Sequence, residues 1–179
     1  MDDPRGDGRA AWIEGALARH EGPLVAYADR LLGDVHRARD AVQETFLRLC
    51  AARREEVDGH LQAWLYTVCR RLCVDALRKE RRMHATDTEL LDARVGPAAD
   101  PAETAGTHDQ ASRALGMLAT LPANQREVVE LRFRHGLSYA EIAAVTGLTS
   151  TNVGFLLHVG LKSLRARLGA GAAAHGGAL

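Results

Sequence analysis

Aromatic residues are scarce in this chain: two Trp, three Tyr and three Phe, 4% of 179 residues. A core made from such a sequence is expected to be aliphatic, built of Leu, Val and Ala. Neither sign of charge is in excess, because 23 Lys and Arg balance 23 Asp and Glu. Total charge therefore points to no polyanion, and only its distribution can. No apolar run approaches the roughly 20 residues of a membrane span. The N-terminus, Met1-Asp2-Asp3-Pro4-Arg5, is polar and acidic, without the apolar segment of an export signal behind it. A cytoplasmic, reducing setting without membrane insertion is expected. The three cysteines, Cys50, Cys69 and Cys73, are an odd count and read as thiols. Glycine-rich phosphate loops and nucleophile elbows are missing, which argues against an enzyme and against a cofactor. What is present, 46% hydrophobic and 26% charged residues, is a globular balance that excludes a wholly disordered chain.

The distribution of charge divides the chain. Residues 1–85 carry 15 basic and 14 acidic groups, and residues 111–179 carry seven basic and three acidic. Between them, residues 86–110 hold one basic group, Arg94, against six acidic ones, together with Gly96, Pro97, Pro101 and Gly106. That composition reads as an acidic flexible linker between two globular pieces. The tail at 169–179, Gly and Ala plus one His and a final Leu, is expected to be flexible.

Both pieces read as helical, since period-2 alternation and β-branched runs are missing. In the first, Leu24, Ala28, Leu31, Leu32 and Val35 recur at helical spacing until Gly33-Asp34 breaks the pattern. A second helix, from about Val35 or Arg39 to Ala52, buries Val42, Thr45, Phe46 and Leu49. A third, from near His60, turns Leu61, Leu65, Val68, Leu72 and Ala76 inward. In the second piece, Leu121-Pro122 opens a helix anchored by Val128, Val129, Leu131 and Phe133, and His135-Gly136 ends it. Ser138-Tyr139-Ala140-Glu141 is a capping box for a short helix that turns at Gly147-Leu148. Thr149 or Ser150 caps the last helix, which runs to about Leu168 and buries Val153, Leu157, Leu161, Leu164 and Leu168. The expected fold is all-α, two small helical domains.

Three surfaces stand out. A short capped helix, a Gly turn and a longer helix form a helix-turn-helix pattern, whose second helix suits the DNA major groove. It would present Ser150, Thr151, Asn152 and Phe155, then His158 and Lys162. The same pattern also fits a plain helical hairpin. The third helix of the first piece carries Trp64, Thr67, Arg71 and Arg78 on one face, with Arg70, Lys79, Arg81 and Arg82 beside it. A basic helix end with an aromatic at the other end suits a nucleic-acid backbone plus an unstacked base, and equally an ordinary solvated face. On the second helix, Asp40, Gln43, Glu44, Leu47 and Arg48 lie opposite the apolar stripe and could dock a protein.

These segments match a known pattern. Asp40-Ala41-Val42-Gln43-Glu44-Thr45-Phe46-Leu47-Arg48 closely resembles the "DxxQETFLR" helix of bacterial sigma-70-type sigma factors. Ala63-Trp64-Leu65-Tyr66 followed by Arg70, Arg71 and Asp75 resembles the segment after it. Leu121-Pro122 through Arg134, then Gly136-Leu137-Ser138-Tyr139-Ala140-Glu141-Ile142-Ala143, is similar to region 4 of that family. Two such blocks, at roughly 20–85 and 111–168, look like the extracytoplasmic-function (ECF) subgroup. The resemblance implies domains at 1–85 (region 2-like) and 111–168 (region 4-like). It implies docking on core RNA polymerase through Asp40, Gln43, Glu44, Leu47 and Arg48. It implies opening and reading of the promoter −10 element by the loop from Ala52 to His60, with Arg53, Arg54, His60, Trp64, Arg70, Arg71, Arg78, Lys79, Arg81 and Arg82. Ser150, Thr151, Asn152, Phe155, His158 and Lys162 would read the −35 element. Many such proteins are held by an anti-sigma factor, which this sequence does not specify.

Two departures from the family pattern stand out. Arg71 occupies a position where Asn is common. Where relatives often show a "TVKSRLHRAR"-like run, this chain places Gly154, Leu156, Val159 and Leu161 at usual basic positions. Fewer phosphate contacts imply weaker duplex binding and a shallower salt dependence. Phe155 could meet a thymine methyl, or an exposed apolar strip could bind protein. Two other functions compete. A stand-alone helix-turn-helix regulator would bind duplex DNA without polymerase. A metal or thiol redox protein would use Cys69 and Cys73, but their i, i+4 spacing on an amphipathic helix fits core packing and lacks a second ligand pair.

Overall fold

The computed structural model describes residues 4–87 and 116–175, and among these every regular element is helical. The chain divides into two compact units, Met1–Ala98 and Ala99–Leu179, so the division falls inside the acidic stretch. Beyond Asp87 the predicted linker lies outside the described residues, as do residues 176–179 of the predicted tail.

The first unit contains α1 (Pro4–Leu32), α2 (Val35–Ala51), a one-turn α3 (Arg54–Val57), a 3-10 turn (Asp58–His60) and α4 (Leu61–Asp87). Helix α1 starts well before the apolar repeat seen in the sequence, with Pro4 in a first turn that needs no amide donor. Pro23 sits inside α1, where it removes one intrahelical amide. Asp34 caps α2: its carboxylate accepts from the amides of His36 at 2.8 Å and Arg37 at 3.2 Å. Those two hydrogen bonds hold its pKa below the ordinary carboxylate value. Helices α1, α2 and α4 pack on one another. Leu24, Ala28, Val42, Thr45, Phe46, Leu49, Leu61, Leu65 and Val68 are buried as their spacing implies.

The core is not purely aliphatic. Tyr27 of α1 and Tyr66 of α4 are fully buried and meet edge to face, with ring centroids 5.1 Å apart and planes at 65°. Burial pushes the Tyr66 hydroxyl's pKa well up. Cys69 and Cys73 are also fully buried, next to Thr45 of α2, while Cys50 is exposed. A hydrogen bond between the two thiols, followed by burial, raises the pKa of Cys69. Val35, expected inside, is exposed at the first position of α2, where it borders an open groove between α1 and α2.

The second unit contains α5 (Ala123–Phe133), α6 (Tyr139–Thr146) and α7 (Ser150–His175). Gly136 and Gly147 adopt left-handed φ values of 71° and 75°, which let the chain turn sharply after α5 and α6. Both halves of the capping box form: the Ser138 amide donates to Glu141 Oε2 at 2.7 Å, and the Glu141 amide donates to Ser138 Oγ at 3.3 Å. Thr149 caps α7 by accepting from the Asn152 amide at 3.2 Å. The core gathers Leu121, Val128, Val129, Leu131, Leu137, Ile142, Val145, Val153, Leu156 and Leu157.

Two predicted anchors of this unit lie outside its core. Phe133 is 64% exposed in the last turn of α5, and Leu168 is exposed on α7. Phe133, two residues after Leu131 and five after Val128, lies off the face those two share, and Leu168 follows Leu161 and Leu164, which are themselves only half-buried. Helix α7 itself continues beyond Leu168 to His175, through a segment expected to be a flexible tail. Its alanines are the strongest helix formers.

Candidate functional site

The polar face of α2 forms as a surface. Asp40, Gln43, Leu47 and Arg48 are exposed and Glu44 is half-buried, all on the side away from Val42, Phe46 and Leu49. Glu44 and Arg48 pair at 3.0 Å along the helix. Leu47 is 56% exposed among these charged and polar neighbours. A groove of about 700 Å³ runs beside it, lined by Ile13, Leu17 and Val25 of α1 and by Val42, Phe46 and Leu47 of α2. The periodicity of α2 places Leu47 outside, but the groove depends on α1 and was not legible there. An apolar groove edged by charged side chains can seat a helix of another protein.

The connection from α2 to α4 and the length of α4 form a second surface. Arg53, Arg54 and His60 are exposed on the connection, and Val57 anchors it in the core. Along α4, Trp64 and Arg70 are half-buried, while Arg71, Arg78, Lys79, Arg81 and Arg82 are exposed. Arg53 faces Glu56 at 3.5 Å, and Arg78 faces Asp75 at 3.9 Å. Arg37 of α2 pairs with Glu80 of α4 at 3.0 Å, so the only acidic residue among the last cations is turned toward α2. Arg78, Arg81 and Arg82 cluster with Asp75 around one shallow depression. Such a line of cations suits a phosphate backbone.

The sequence reading missed two residues of this region. Arg9 and Trp12, near the start of α1, reach the α2–α4 connection across 41 or more positions of chain. A polar N-terminal stretch carries no local signal for contacts of that range.

In the second unit, α6 and α7 meet at a bend of 101°, a geometry typical of helix-turn-helix pairs. Ser150, Thr151, Asn152, Phe155, His158 and Lys162 are all exposed and recur along one face of α7. Phe155 is 63% exposed, whereas Leu156 is buried and Val159 and Leu161 are half-buried. The apolar residues at the usual basic positions therefore form no continuous exposed strip, since Leu156 belongs to the core. Tyr139 lies beside Gly154, and the Arg132 guanidinium sits 5.5 Å over the Tyr139 ring. Among the described residues no single helix is long and apolar enough to cross a membrane, and no cluster of ligating side chains could hold a metal ion.

A helical chain in two units, the second carrying a helix-turn-helix pair, has an architecture shared by many DNA-binding regulators. Residues 16–83 match the family described as Sigma-70 region 2, and residues 111–164 match Sigma-70, region 4. The chain is 33% identical to the ECF RNA polymerase sigma factor SigL of Mycobacterium tuberculosis, over 89% of this chain and 93% of that protein. It is 32% identical to the ECF RNA polymerase sigma factor SigE of Mycolicibacterium smegmatis, over 91% of this chain and 64% of that protein. Two solved structures share its fold at 25% identity. One is the sigma factor RpoE in complex with the anti-sigma factor NepR from Bartonella quintana, with a TM-score of 0.64 over 87% of this chain and 95% of that one. The other is CnrH in complex with the cytosolic domain of CnrY, with a TM-score of 0.55 over 88% of each chain. The chain belongs to the sigma-70 family, in its ECF group, the promoter-directing sigma factors of RNA polymerase. That membership disfavours a stand-alone regulator.

Proposed function

We propose that this protein binds core RNA polymerase through α2 and carries it to promoters, with the residues divided as follows. Asp40, Gln43, Glu44, Leu47 and Arg48 dock the polymerase. The 52–60 connection, Trp64 and the cations of α4 engage the −10 element as it opens. The exposed face of α7, from Ser150 to Lys162, contacts the −35 element as duplex. Extruding a base costs a few kcal/mol, which a pocket with stacking and edge hydrogen bonds offsets. The 1–85 unit thus opens DNA, the 111–168 unit adds a duplex contact, and the acidic stretch between them repels stray nucleic acid. The chain performs no chemistry of its own, and its place is the cytoplasm, with the polymerase. An anti-sigma factor is a further partner, supported by the complexes of RpoE and CnrH.

The observation that carries this reading is the exposed Leu47 amid Asp40, Gln43, Glu44 and Arg48, at the edge of the α1–α2 groove. Its test is co-purification with core RNA polymerase. The wild-type chain is expected to bind stoichiometrically, and Asp40→Lys with Glu44→Lys is expected to weaken binding at least tenfold. No binding by the folded wild-type chain would overturn the assignment.

A further inference from the structure

The connection between α2 and α4 is too short to hold its own shape. It consists of two linking residues, a single helical turn and a 3-10 turn, and only Val57 among them is buried. Isolated turns of this size are unstable, so their conformation must be imposed by neighbours.

The neighbour is the beginning of α1. Arg9 Nη2 donates to the carbonyls of Cys50 and Ala52, both at 2.7 Å. These lie at the C-terminal end of α2, where carbonyls lack intrahelical partners and the helix dipole favours a cation. One turn later, Trp12 Nε1 donates to Asp58 Oδ1 at 2.8 Å. The Arg54 guanidinium lies 5.4 Å from the centre of the Trp12 ring, and Arg54 Nε reaches Asp58 Oδ2 at 3.4 Å. Asp58 is thus held from two sides, and Arg54 is held between an indole face and a carboxylate. Residues 9 and 12 share one face of α1 at i, i+3 spacing.

This clasp sorts the side chains of the connection. Arg54 and Asp58 turn toward α1, while Arg53 stays 75% exposed and His60 faces solvent. Arg9 and Trp12 also precede residue 16, where the match to Sigma-70 region 2 begins, and neither is part of the buried core.

We propose that Arg9 and Trp12 are positioning residues for promoter opening: they hold the 52–60 connection so that Arg53, His60 and Trp64 meet the separating strand together. This rests on the reading that the connection engages the −10 element. The clasp touches no DNA itself. Its effect is to remove alternative loop conformations before binding, so that less ordering is required when the strand arrives.

The test uses holoenzyme reconstituted from core RNA polymerase and the full chain, on a promoter selected from a random library with the wild-type holoenzyme. Opening is read as permanganate reactivity of unpaired thymines, on the duplex promoter and on one with a pre-melted −10 segment. Affinity for core is measured beside it. Trp12→Ala and Arg9→Gln are expected to slow opening of the duplex promoter about tenfold, the scale of a lost charge-assisted hydrogen bond. The pre-melted promoter should suffer less, and core affinity should stay within twofold. Arg9→Lys should recover part of the rate. Trp12→Phe, which keeps the ring but loses the N–H, should fall between wild type and Trp12→Ala.

A control variant, Arg53→Ala with His60→Ala and Trp64→Ala, separates the two levels of the argument. If it opens the promoter normally, the connection is not the −10 reader and the underlying reading falls. If it fails while Trp12→Ala and Arg9→Gln open normally, the positioning role alone is overturned. If those two variants lose core affinity in parallel with opening, the clasp merely stabilises the unit, and the proposal is equally overturned.

Discussion

Gly160 of α7 faces Val129 of α5 so closely that a Cβ at position 160 would lie 3.2 Å from Val129 Cγ2. The same Cβ would also meet Gln125 at 3.6 Å and Leu121 at 3.7 Å. This is where the longest helix of the second unit presses against α5, and it sets the depth of the core under the helix-turn-helix.

Two glycines of α7 are therefore expected to respond differently to one substitution. Gly154→Ala adds a Cβ at ordinary contact distance, 3.5 Å from the Tyr139 ring, and should stabilise by about 0.5–1 kcal/mol through helix propensity. Gly160→Ala gains the same propensity but pushes on a branched side chain in a fixed rotamer, so its net effect should lie near zero. Gly160→Val should cost about 1–3 kcal/mol by overpacking. Urea denaturation of the three variants checks the order.

Salt dependence tests the character of the recognition helix. From Ser150 to Lys162 the single Lys or Arg is Lys162 itself. Duplex binding by residues 111–179 alone, without the cations of α4, is expected to show a shallow log–log salt slope, of about 1 to 2, matching one or two phosphate contacts. Gly154→Lys, at a position with room for a side chain, should steepen that slope by about 0.9. Fluorescence anisotropy across a salt series measures both. A slope near that of six or more contacts in the wild-type 111–179 fragment would contradict this account of α7.

The cap of α2 has a pH signature. The pKa of Asp34 is lowered in the folded state from an ordinary 3.8 by hydrogen bonds from the Arg37 and His36 amides. The unfolded chain therefore takes up this proton first as pH falls. The stabilisation is fully present above 3.8 and is lost as pH drops through the lower folded value. Asp34→Ala should melt at a lower temperature than wild type near neutral pH, and the gap should narrow in acid below that point. Thermal melts by circular dichroism at a series of pH values read this directly.

Much of the fold was open to sequence reasoning because its signals are local. The Ser138/Glu141 box, Gly136, Gly147 and the stripe on α2 all act within a few residues of themselves, and each took the form expected of it, while the stripe on α4 is buried through Val68 and half-buried at Leu72 and Ala76. Phe133 and Leu168 show the limit of pattern reading, since an apolar residue on a helix is not by that alone in the core, and a stripe does not say how far along the helix burial persists. Tyr27 and Tyr66 show another limit, since scarcity of aromatics does not stop two of them from finding each other at the centre of the bundle.

The faces proposed for polymerase and DNA divide along the same line. Exposure of Leu47 and of the Ser150-to-Lys162 face follows from helical period alone, so the sequence by itself determined which side chains look outward. The groove beside Leu47, the burial of Leu156 and the clasp of Arg9 and Trp12 on the 50–58 segment were decided by tertiary structure. The physical reason is range: a helix face repeats every few residues, whereas Arg9 and Trp12 meet partners more than forty positions away. Contacts of that kind exist only once the packing of α1 on α2 and α4 has brought the two stretches together.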